Sequence, residues 1–299
     1  MGSEWIARIV LALGIAGQLA TAACADVIYL SDYTNNAIVK LVNGVVTPFA
    51  TGLSGPLGMM FDTQGNLYCA NSTANSISKI TPDGVVHSFA SGMNSPEYLA
   101  FNAGNLYASN GNAAGGGTAI YKITLTGIVS MFSTAIPRPN GLAFDNSGNL
   151  YAVDYSSAPS NVYKISPGGV VSGFTTLHGT NAHARGFDLA FDGTGTFDVV
   201  DDVAGIEKIT AAGAVSNLTP PPPDQCFGMS FDSSGSAYTL GRSNLYQIAT
   251  NGAITPIPIG GNYQYQSVVV QTVPEPAAIF GIVAGIALLA RRRQRTPRA

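Results

Sequence analysis

The segment Gly141-Leu-Ala-Phe-Asp-Asn-Ser-Gly-Asn-Leu-Tyr-Ala-Val-Asp154 decides the fold of this chain. It predicts a short apolar strand that ends at Phe144, a turn from Asp145 to Gly148, and a second strand that ends at Asp154. Aspartate favours the start of a tight turn, and glycine tolerates the left-handed backbone conformation inside it. The apolar and β-branched residues on either side of the turn are typical of antiparallel strands.

The same pattern occurs five times in the 299-residue chain. The phenylalanine that ends the first strand recurs at intervals of 40, 43, 47 and 40 residues. Its positions are Phe61, Phe101, Phe144, Phe191 and Phe231. A second hairpin follows each copy, as in the residues from Asn161 to Phe174. A period in this range with four short strands per unit predicts a β-propeller.

The first unit lacks its first strand, and the chain carries a spare strand near its end. The residues from Val27 to Ser31 match the second strand of a unit, whereas the apolar residues from Ser267 to Gln271 follow the last complete unit. Pairing these two segments hides edge strands that would otherwise favour aggregation. We therefore predict an all-β, six-bladed propeller of four-stranded blades over residues 26–272, closed by the C-terminal strand.

The repeat resembles the NHL-repeat family of β-propellers. The matching residues are a Gly-x-x-Phe-Asp-x-x-Gly-Asn-Leu-Tyr core, a strand that ends in Asp or Asn, and a following Ile/Val-x-Lys-Ile strand. The resemblance covers about residues 26–272 and implies the fold. It implies little about activity, because similar propellers carry many unrelated functions.

The N-terminus indicates export. Arg8 precedes the apolar residues 9–16, and Ala23-Cys24-Ala25 fits a signal-peptide cleavage site. Residues 1–25 are therefore predicted to be a helical signal peptide. The alternative is a lipoprotein that is acylated at Cys24.

The C-terminus carries a three-part motif. Pro274-Glu275-Pro276 precedes an apolar segment, residues 277–290, and Arg291-Arg292-Arg293 follows it. This order resembles the PEP-CTERM sorting signal, which implies recognition by an exosortase in the membrane of Gram-negative bacteria that make extracellular polysaccharide. The apolar segment is shorter than the roughly 20 residues of a comfortable span, as suits a segment that is processed.

We accordingly predict that residues 273–299 form a sorting signal with a short transmembrane helix, whose arginines stay on the cytoplasmic side. The protein would then reach the cell envelope or the outside, held by a transient or permanent single-pass anchor. A plain tail anchor is the alternative. The expected partners are the exosortase-type enzyme and, outside the membrane, extracellular polysaccharide or surface proteins.

Charge and cysteine content exclude some functions. Residues 26–272 contain 8 Lys and Arg against 15 Asp and Glu, a net charge of −7. Nucleic acid is excluded as a partner, because phosphate binding needs a basic surface. Cys69 and Cys226 have no metal-ligand spacing, and we expect two buried thiols, with a disulfide as the alternative.

One face of the propeller concentrates the irregular sequence. Antiparallel connectivity places the starts of first strands, the ends of second strands and the loops after them on a single face. Residues 111–118, 177–185 and 220–223 fall there, whereas the turns on the other face are short and uniform. Because binding residues favour variable loops on a rigid scaffold, this loop-rich face is the candidate functional face.

Polar residues form two columns on that face. Glu97 and Asn140 break the repeat at the start of a first strand. A second column closes the second strands, and a side chain there often bonds to backbone N–H groups of its own loop, which favours a structural role. The second column comprises Asp32, Asn71, Asn110, Asp154, Asp201 and Gly241. The ligand-binding candidates are Glu97, Asn140, Asp154, Asp188 and Asp201.

Asn140-Gly141 resembles the Asn-Gly that opens an inner strand in the gluconolactonase family of six-bladed propellers. In that family the asparagine contributes to a divalent metal site, so the resemblance implies a metal set of Glu97, Asn140 and Asp154, with calcium as the expected ion. The next blade departs from the family pattern, because Phe187 occupies the equivalent position and Asp188 follows it.

Streptogramin-lyase-like propellers are also similar in repeat type, but they use histidine and glutamate. This chain has only His87, His178 and His183, which we interpret as strand and loop residues. We therefore favour a non-enzymatic binding or matrix module and assign no catalytic residue. The alternative is a metal-dependent lactonase or a lyase-like enzyme that acts on a small molecule or a polysaccharide.

Overall fold

The computed structural model describes residues 26–111, 117–178, 185–201, 205–218, 222–223, 225–242, 244–260 and 264–271. The predicted signal peptide and sorting signal lie outside these ranges, as do His183 and parts of the three irregular loops. Within the ranges, no helix has the length and apolar character that crossing a membrane requires.

The described chain forms six antiparallel sheets of four strands each, which confirms the predicted blades. The strands of blade 1 are β1 (Val27–Asp32), β2 (Ala37–Val42), β3 (Val45–Thr51) and β24 (Tyr265–Gln271). Blade 2 has β4 (Pro56–Phe61), β5 (Leu67–Asn71), β6 (Ser76–Ile80) and β7 (Val86–Ser91). Blade 3 has β8 (Pro96–Asn102), β9 (Asn105–Asn110), β10 (Ile120–Thr124) and β11 (Val129–Ser133).

The other three blades follow the same order from the axis outward. Blade 4 has β12 (Pro139–Phe144), β13 (Leu150–Asp154), β14 (Asn161–Ile165) and β15 (Val171–Thr176). Blade 5 has β16 (Gly186–Phe191), β17 (Phe197–Asp201), β18 (Gly205–Ile209) and β19 (Val215–Leu218). Blade 6 has β20 (Cys226–Phe231), β21 (Ala237–Gly241), β22 (Asn244–Ile248) and β23 (Ile254–Pro258).

The last strand pairs with the first, as the sequence predicts. Strand β24 runs antiparallel to β1, with Val269 opposite Tyr29 and Ser267 opposite Ser31. Each innermost strand also contacts the innermost strand of the next blade, in the order β24, β4, β8, β12, β16, β20 and back to β24. The candidate face is therefore the end of the ring at which the innermost strands begin.

A tyrosine recurs at the centre of five blades and organises the packing between them. Tyr151, for example, packs against Phe174 with ring centroids 4.9 Å apart and lies opposite Lys164 on the next strand. The ammonium group of Lys164 lies 5.5 Å from the centroid of the Tyr151 ring. Lys79 and Lys122 lie over the tyrosine rings of their blades in the same way, at 5.6 and 6.0 Å from the centroids. In blade 5 the tyrosine is replaced by Asp198, which pairs with Lys208 at 3.7 Å.

On the face opposite the loop-rich face, an aspartate that begins a short turn accepts hydrogen bonds from residues of the same turn. Asp145 accepts hydrogen bonds from the backbone N–H groups of Ser147 and Asn149 at 2.9 and 2.8 Å, and from the Asn149 side chain at 2.8 Å. Asp62 makes the same set of contacts in blade 2. These carboxylates serve the turn itself. Cys69 and Cys226 are buried thiols that form no disulfide, as expected, and burial raises the pKa of the Cys69 thiol.

Candidate binding site at the axial mouth

A β-bulge interrupts every innermost strand at the loop-rich face. In each blade, the innermost strand has one more residue than its neighbour just after its first residue. In blade 4, for example, Pro139 pairs with Asp154 and Leu142 pairs with Ala152. The shift recurs in the other five blades. Bulges redirect side chains out of the regular ladder and are frequent beside functional sites. The second residue of each innermost strand is thereby placed around the axis.

Five of these six second residues line a pocket of about 180 Å³ at the mouth of the ring, which we call the axial mouth. Five blades contribute to it, so its shape depends on the closed ring. Its lining consists of Leu57, Glu97, Tyr98, Arg138, Asn140, Tyr155, Phe187 and Gln266. A concave, partly aromatic pocket with a few polar groups is the usual form of a ligand site.

Glu97 carries the acidic group of the axial mouth. Burial raises the pKa of its carboxyl group, and the positive charge of Arg138 partly offsets this effect. The carboxylate lies against the α-carbon of Gly111, where a Cβ atom would clash with it. Gly111 also accepts a hydrogen bond from Arg138 through its carbonyl oxygen. The glycine therefore holds the acid and the base at the same edge of the pocket.

Asn140 presents an unused acceptor. The residue is only 4% exposed, and its Oδ1 atom is buried without a hydrogen-bond partner among the described residues. A buried polar atom without a partner costs about 1–3 kcal/mol, so such atoms are rare away from ligand sites or ordered water. Because Asn140 also lines the axial mouth, a donor group on a ligand would remove this cost.

Aromatic rings form one wall of the axial mouth. Tyr155 packs against Phe187 with ring centroids 5.2 Å apart, and Phe187 packs against Phe227 at 5.4 Å. The guanidinium groups of Arg138 and Arg185 lie 4.3 and 5.1 Å from the centroid of Tyr155. These contacts fix the ring of Tyr155 and leave an apolar surface beside the polar groups.

Tyr98 forms the floor. Its side chain spans the axis from blade 3 to blade 6, where its hydroxyl donates a hydrogen bond to the carbonyl oxygen of Phe227 at 3.1 Å. Burial, together with the nearby charges of Asp188 and Glu97, raises the pKa of this hydroxyl well above its usual value. It therefore stays protonated and able to donate. Tyr98 lines both the axial mouth and the channel beneath it, so it separates the two.

Two of the predicted ligand residues, Asp154 and Asp201, lie away from the axial mouth. Asp154 accepts hydrogen bonds from the backbone and hydroxyl of Ser156 at 2.8 and 2.6 Å, and from the hydroxyl of Ser157 at 3.3 Å. This is the structural role that the strand-end column suggested. Asp201 is buried in blade 5. Burial raises the pKa of the Glu207 carboxyl group, and the negative charge of Asp201 adds a smaller increase. Neither carboxylate lines the axial mouth.

Asp188 lies one residue deeper than the mouth. It lines the channel below Tyr98, where its two oxygens accept the backbone N–H groups of Leu189 and Met229 at 2.8 and 2.9 Å. Of the predicted metal set, the axial mouth thus gathers Glu97 and Asn140 but not Asp154. The described residues contain no group of three or more His, Cys, Asp or Glu side chains placed to hold a metal. Calcium takes six to eight oxygens, so these residues do not fit a calcium site on their own.

Sequence reasoning missed several lining residues. Tyr98 and Gln266 lie within innermost strands, and Arg138 and Tyr155 lie in the segments just before β12 and just after β13. One signal was available for Tyr98, because Gly58 and Gly141 occupy the equivalent position in the neighbouring blades. Phe187 was noted only as a position without an acid, although it supplies much of the aromatic wall.

Solved structures share this fold at low sequence identity. Virginiamycin B lyase from Staphylococcus aureus matches with a TM-score of 0.62 and 15% identity, over 79% of this chain and 82% of that one. A gluconolactonase from Xanthomonas campestris matches with a TM-score of 0.62 and 14% identity, over 82% and 88%. A chain of the nidogen/laminin complex matches with a TM-score of 0.72 and 12% identity, over 83% and 98%. No protein-family model and no curated protein matches the chain.

These likenesses support the six-bladed propeller fold, with two enzymes and a chain of the nidogen/laminin complex among its structural neighbours. At this identity they show the fold alone, because propellers of one architecture carry many functions.

Proposed function

We propose that this chain is an exported binding protein whose axial mouth holds a neutral sugar residue of an extracellular polysaccharide. The observation that carries the proposal is the unpaired acceptor of Asn140 beside an aromatic wall in a preformed pocket. A sugar ring offers hydroxyl donors at its rim and apolar C–H groups on its faces. It would therefore satisfy the buried oxygen and cover the rings in the same pose.

The charges of the pocket support a neutral ligand. Glu97 and Arg138 are the acidic and basic side chains of its lining, and they lie near enough for Arg138 to lower the pKa of Glu97. Gln266 adds a neutral amide. Polar groups of both signs can bind several hydroxyls, whereas a charged ligand would leave one of the two ions unmatched.

Isothermal titration calorimetry with cellotriose, maltotriose and N-acetylchitotriose tests the proposal. We expect at least one trisaccharide to bind, and we expect Asn140→Ala and Phe187→Ala each to weaken its binding about tenfold or more. Asp83→Asn, on an exposed turn, is the charge-changing control and keeps full affinity. Equal affinity in all variants, or no binding by the wild-type chain, would refute the proposal.

Export and sorting are the second part of the proposal, supported by the signal-peptide pattern at residues 1–25 and the motif at Pro274-Glu275-Pro276. Expression of the full chain in a bacterium with an exosortase should give a shortened protein outside the inner membrane. Replacing the three motif residues by alanine should leave the unprocessed chain in the membrane fraction. Identical processing of both chains, measured by immunoblotting of cell fractions, would exclude the sorting role.

One observation keeps an enzymatic alternative open. A buried carboxyl group with a raised pKa, such as Glu97, is suited to general acid or base catalysis. Thermal unfolding with added calcium, zinc or manganese separates the metal-dependent form of this alternative from the binding module. A melting-temperature increase that is lost in both Glu97→Ala and Asn140→Ala would favour the enzyme. Absence of any response would favour the binding module.

A further inference from the structure

The third residue of the innermost strands alternates around the ring between glycine and a larger residue. Blades 2, 4 and 6 carry Gly58, Gly141 and Gly228, and blades 1, 3 and 5 carry Ser267, Tyr98 and Asp188. A Cβ atom on Gly141 would lie 2.5 Å from the α-carbon of Asp188, and one on Gly58 would lie 2.5 Å from the carbonyl oxygen of Glu97. Each glycine thus admits the backbone of the next blade, and three side chains are left at the neck of the channel.

Below this neck lies a second cavity of about 310 Å³, the central channel. The fourth to sixth residues of the innermost strands line it, and most of them are apolar, including Met59, Phe101 and Phe144. The hydroxyl-bearing residues Ser230 and Ser267 also contribute to the lining. Tyr98 closes the end toward the axial mouth, so a ligand would enter from the opposite face, where the short turns lie.

Asp188 is the ionisable carboxyl group of this cavity. It is 7% exposed, and within the described part of the chain its oxygens accept hydrogen bonds from two backbone N–H groups, those of Leu189 and Met229. None of the ion pairs in the described part of the chain involves Asp188. Removing a carboxylate from water without a countercharge is costly, and this burial raises its pKa to about 7. A cation in the channel would offset that cost.

We propose that the central channel is a second binding site, which takes a small primary ammonium compound with an apolar tail. The single acid receives the ammonium group, and the methionine and phenylalanine side chains receive the tail. A bare metal ion fits less well, because a hard cation needs several oxygens and the side chains of the channel offer one carboxylate with the hydroxyl groups of Ser230, Ser267 and Tyr98. This site is independent of the axial mouth and of its proposed sugar.

Calorimetry with hexylammonium chloride tests the proposal, with hexanol as the uncharged control. At pH 8 we expect hexylammonium to bind and hexanol to bind much more weakly, since only the ammonium pairs with ionised Asp188. At pH 5 the affinity should fall, because Asp188 is then protonated. Tyr98 faces Asp188 from blade 3, and the strands packed against β16 carry Asp154, Asp198 and Asp201. These neighbouring groups are unchanged in an Asp188 variant. A pH dependence that disappears in the variant therefore comes from the Asp188 carboxyl group.

Two variants make the test specific. Asp188→Asn removes the charge and keeps the size of the side chain. Asp188→Gly installs the residue that blades 2, 4 and 6 carry at this position, so this variant should fold even if Asp188→Asn does not. Either should weaken hexylammonium binding at least about tenfold, while Asp83→Asn keeps wild-type affinity. The proposal is overturned if hexanol binds as tightly as hexylammonium, if neither wild-type ligand binds, or if the folded Asp188 variants keep full affinity.

Discussion

The aspartates of the repeated turns differ from the polar residues at the axis of the ring. On the turn-rich face Asp62 and Asp145 repeat from blade to blade, and backbone N–H groups of their own turns saturate them. At the axis of the loop-rich face the repeat breaks, and the residues that break it are buried with unmet or unusual chemistry, as in Asn140 and Asp188. In this propeller, the residues that repeat from blade to blade therefore stabilise the blades, and the residues that depart from the repeat indicate the candidate site.

The largest expected effect comes from the glycines that let neighbouring blades approach. In Gly141→Ala the new methyl group would lie 2.5 Å from the α-carbon of Asp188, so blades 4 and 5 must move apart. We expect a loss of about 3 kcal/mol in the free energy of unfolding, measured by urea denaturation. Gly173→Ala, where nothing lies within 4 Å, is the control and should change stability by less than about 0.5 kcal/mol. Equal effects would remove the packing argument.

The comparison of the faces predicts that one variant loses stability without losing binding and that another loses binding without losing stability. Asp145→Ala deletes an acceptor of four hydrogen bonds and should cost about 2 kcal/mol of stability while leaving trisaccharide affinity unchanged. Asn140→Ala should do the reverse, because its Oδ1 atom makes no hydrogen bond within the described structure. Urea denaturation and calorimetry on both variants check this. A loss of trisaccharide affinity in Asp145→Ala would contradict the assignment of a purely structural role to this turn.

Asp188 should make stability depend on pH. Its pKa rises from 3.8 in the unfolded chain to about 7 in the folded one, so the folded protein keeps a proton that the unfolded chain releases. The free energy of unfolding should therefore fall by about 1 kcal/mol per pH unit as pH rises between these values. Asp188→Asn should flatten this slope, and Asp198, with a pKa of about 6, should retain part of it. An unchanged slope in the variant would contradict the burial of this carboxyl group.

The smallest effect concerns the repeated lysines. Lys79 lies 5.6 Å above the ring of Tyr68, so Lys79→Met should lose about 0.5 kcal/mol of stability beyond any change in packing. Lys40→Met provides the comparison, because Lys40 lies opposite Tyr29 in the same register, and the described residues show no contact between its ammonium group and that ring. Thermal unfolding at low and high salt would separate the two. Identical losses would mean that the ring contact contributes nothing measurable.

The repeat made most of the fold predictable from sequence, because turn residues and apolar periodicity act locally. The spacing of Phe61, Phe101 and Phe144 gave the blades, and the unpaired segments at 27–31 and 267–271 gave the pairing of the two ends. Glu97 and Asn140 were found because they break a column. Both line the axial mouth, which forms only where five blades meet at the axis.

The rest of the site depends on three-dimensional relations that no local pattern records. Tyr98 bonds to Phe227, 129 residues away, and this contact exists only across the closed ring. The bulges that expose the second residues, and the stack of Arg138 on Tyr155, likewise arise from register and from packing between neighbouring segments. Asp154 was predicted as a ligand because its residue type fits, yet Ser156 occupies its carboxylate.

The most direct test of the division between the faces is hydrogen–deuterium exchange of the full chain with and without the tightest-binding trisaccharide. We predict slower exchange confined to the axial residues 97–98, 138–141 and 187–188, with no change in the turns at 62–66, 192–196 and 232–236. Protection of those repeated turns, or no protection at the axis under saturating sugar, would contradict the claim that the departures from the repeat form the binding site.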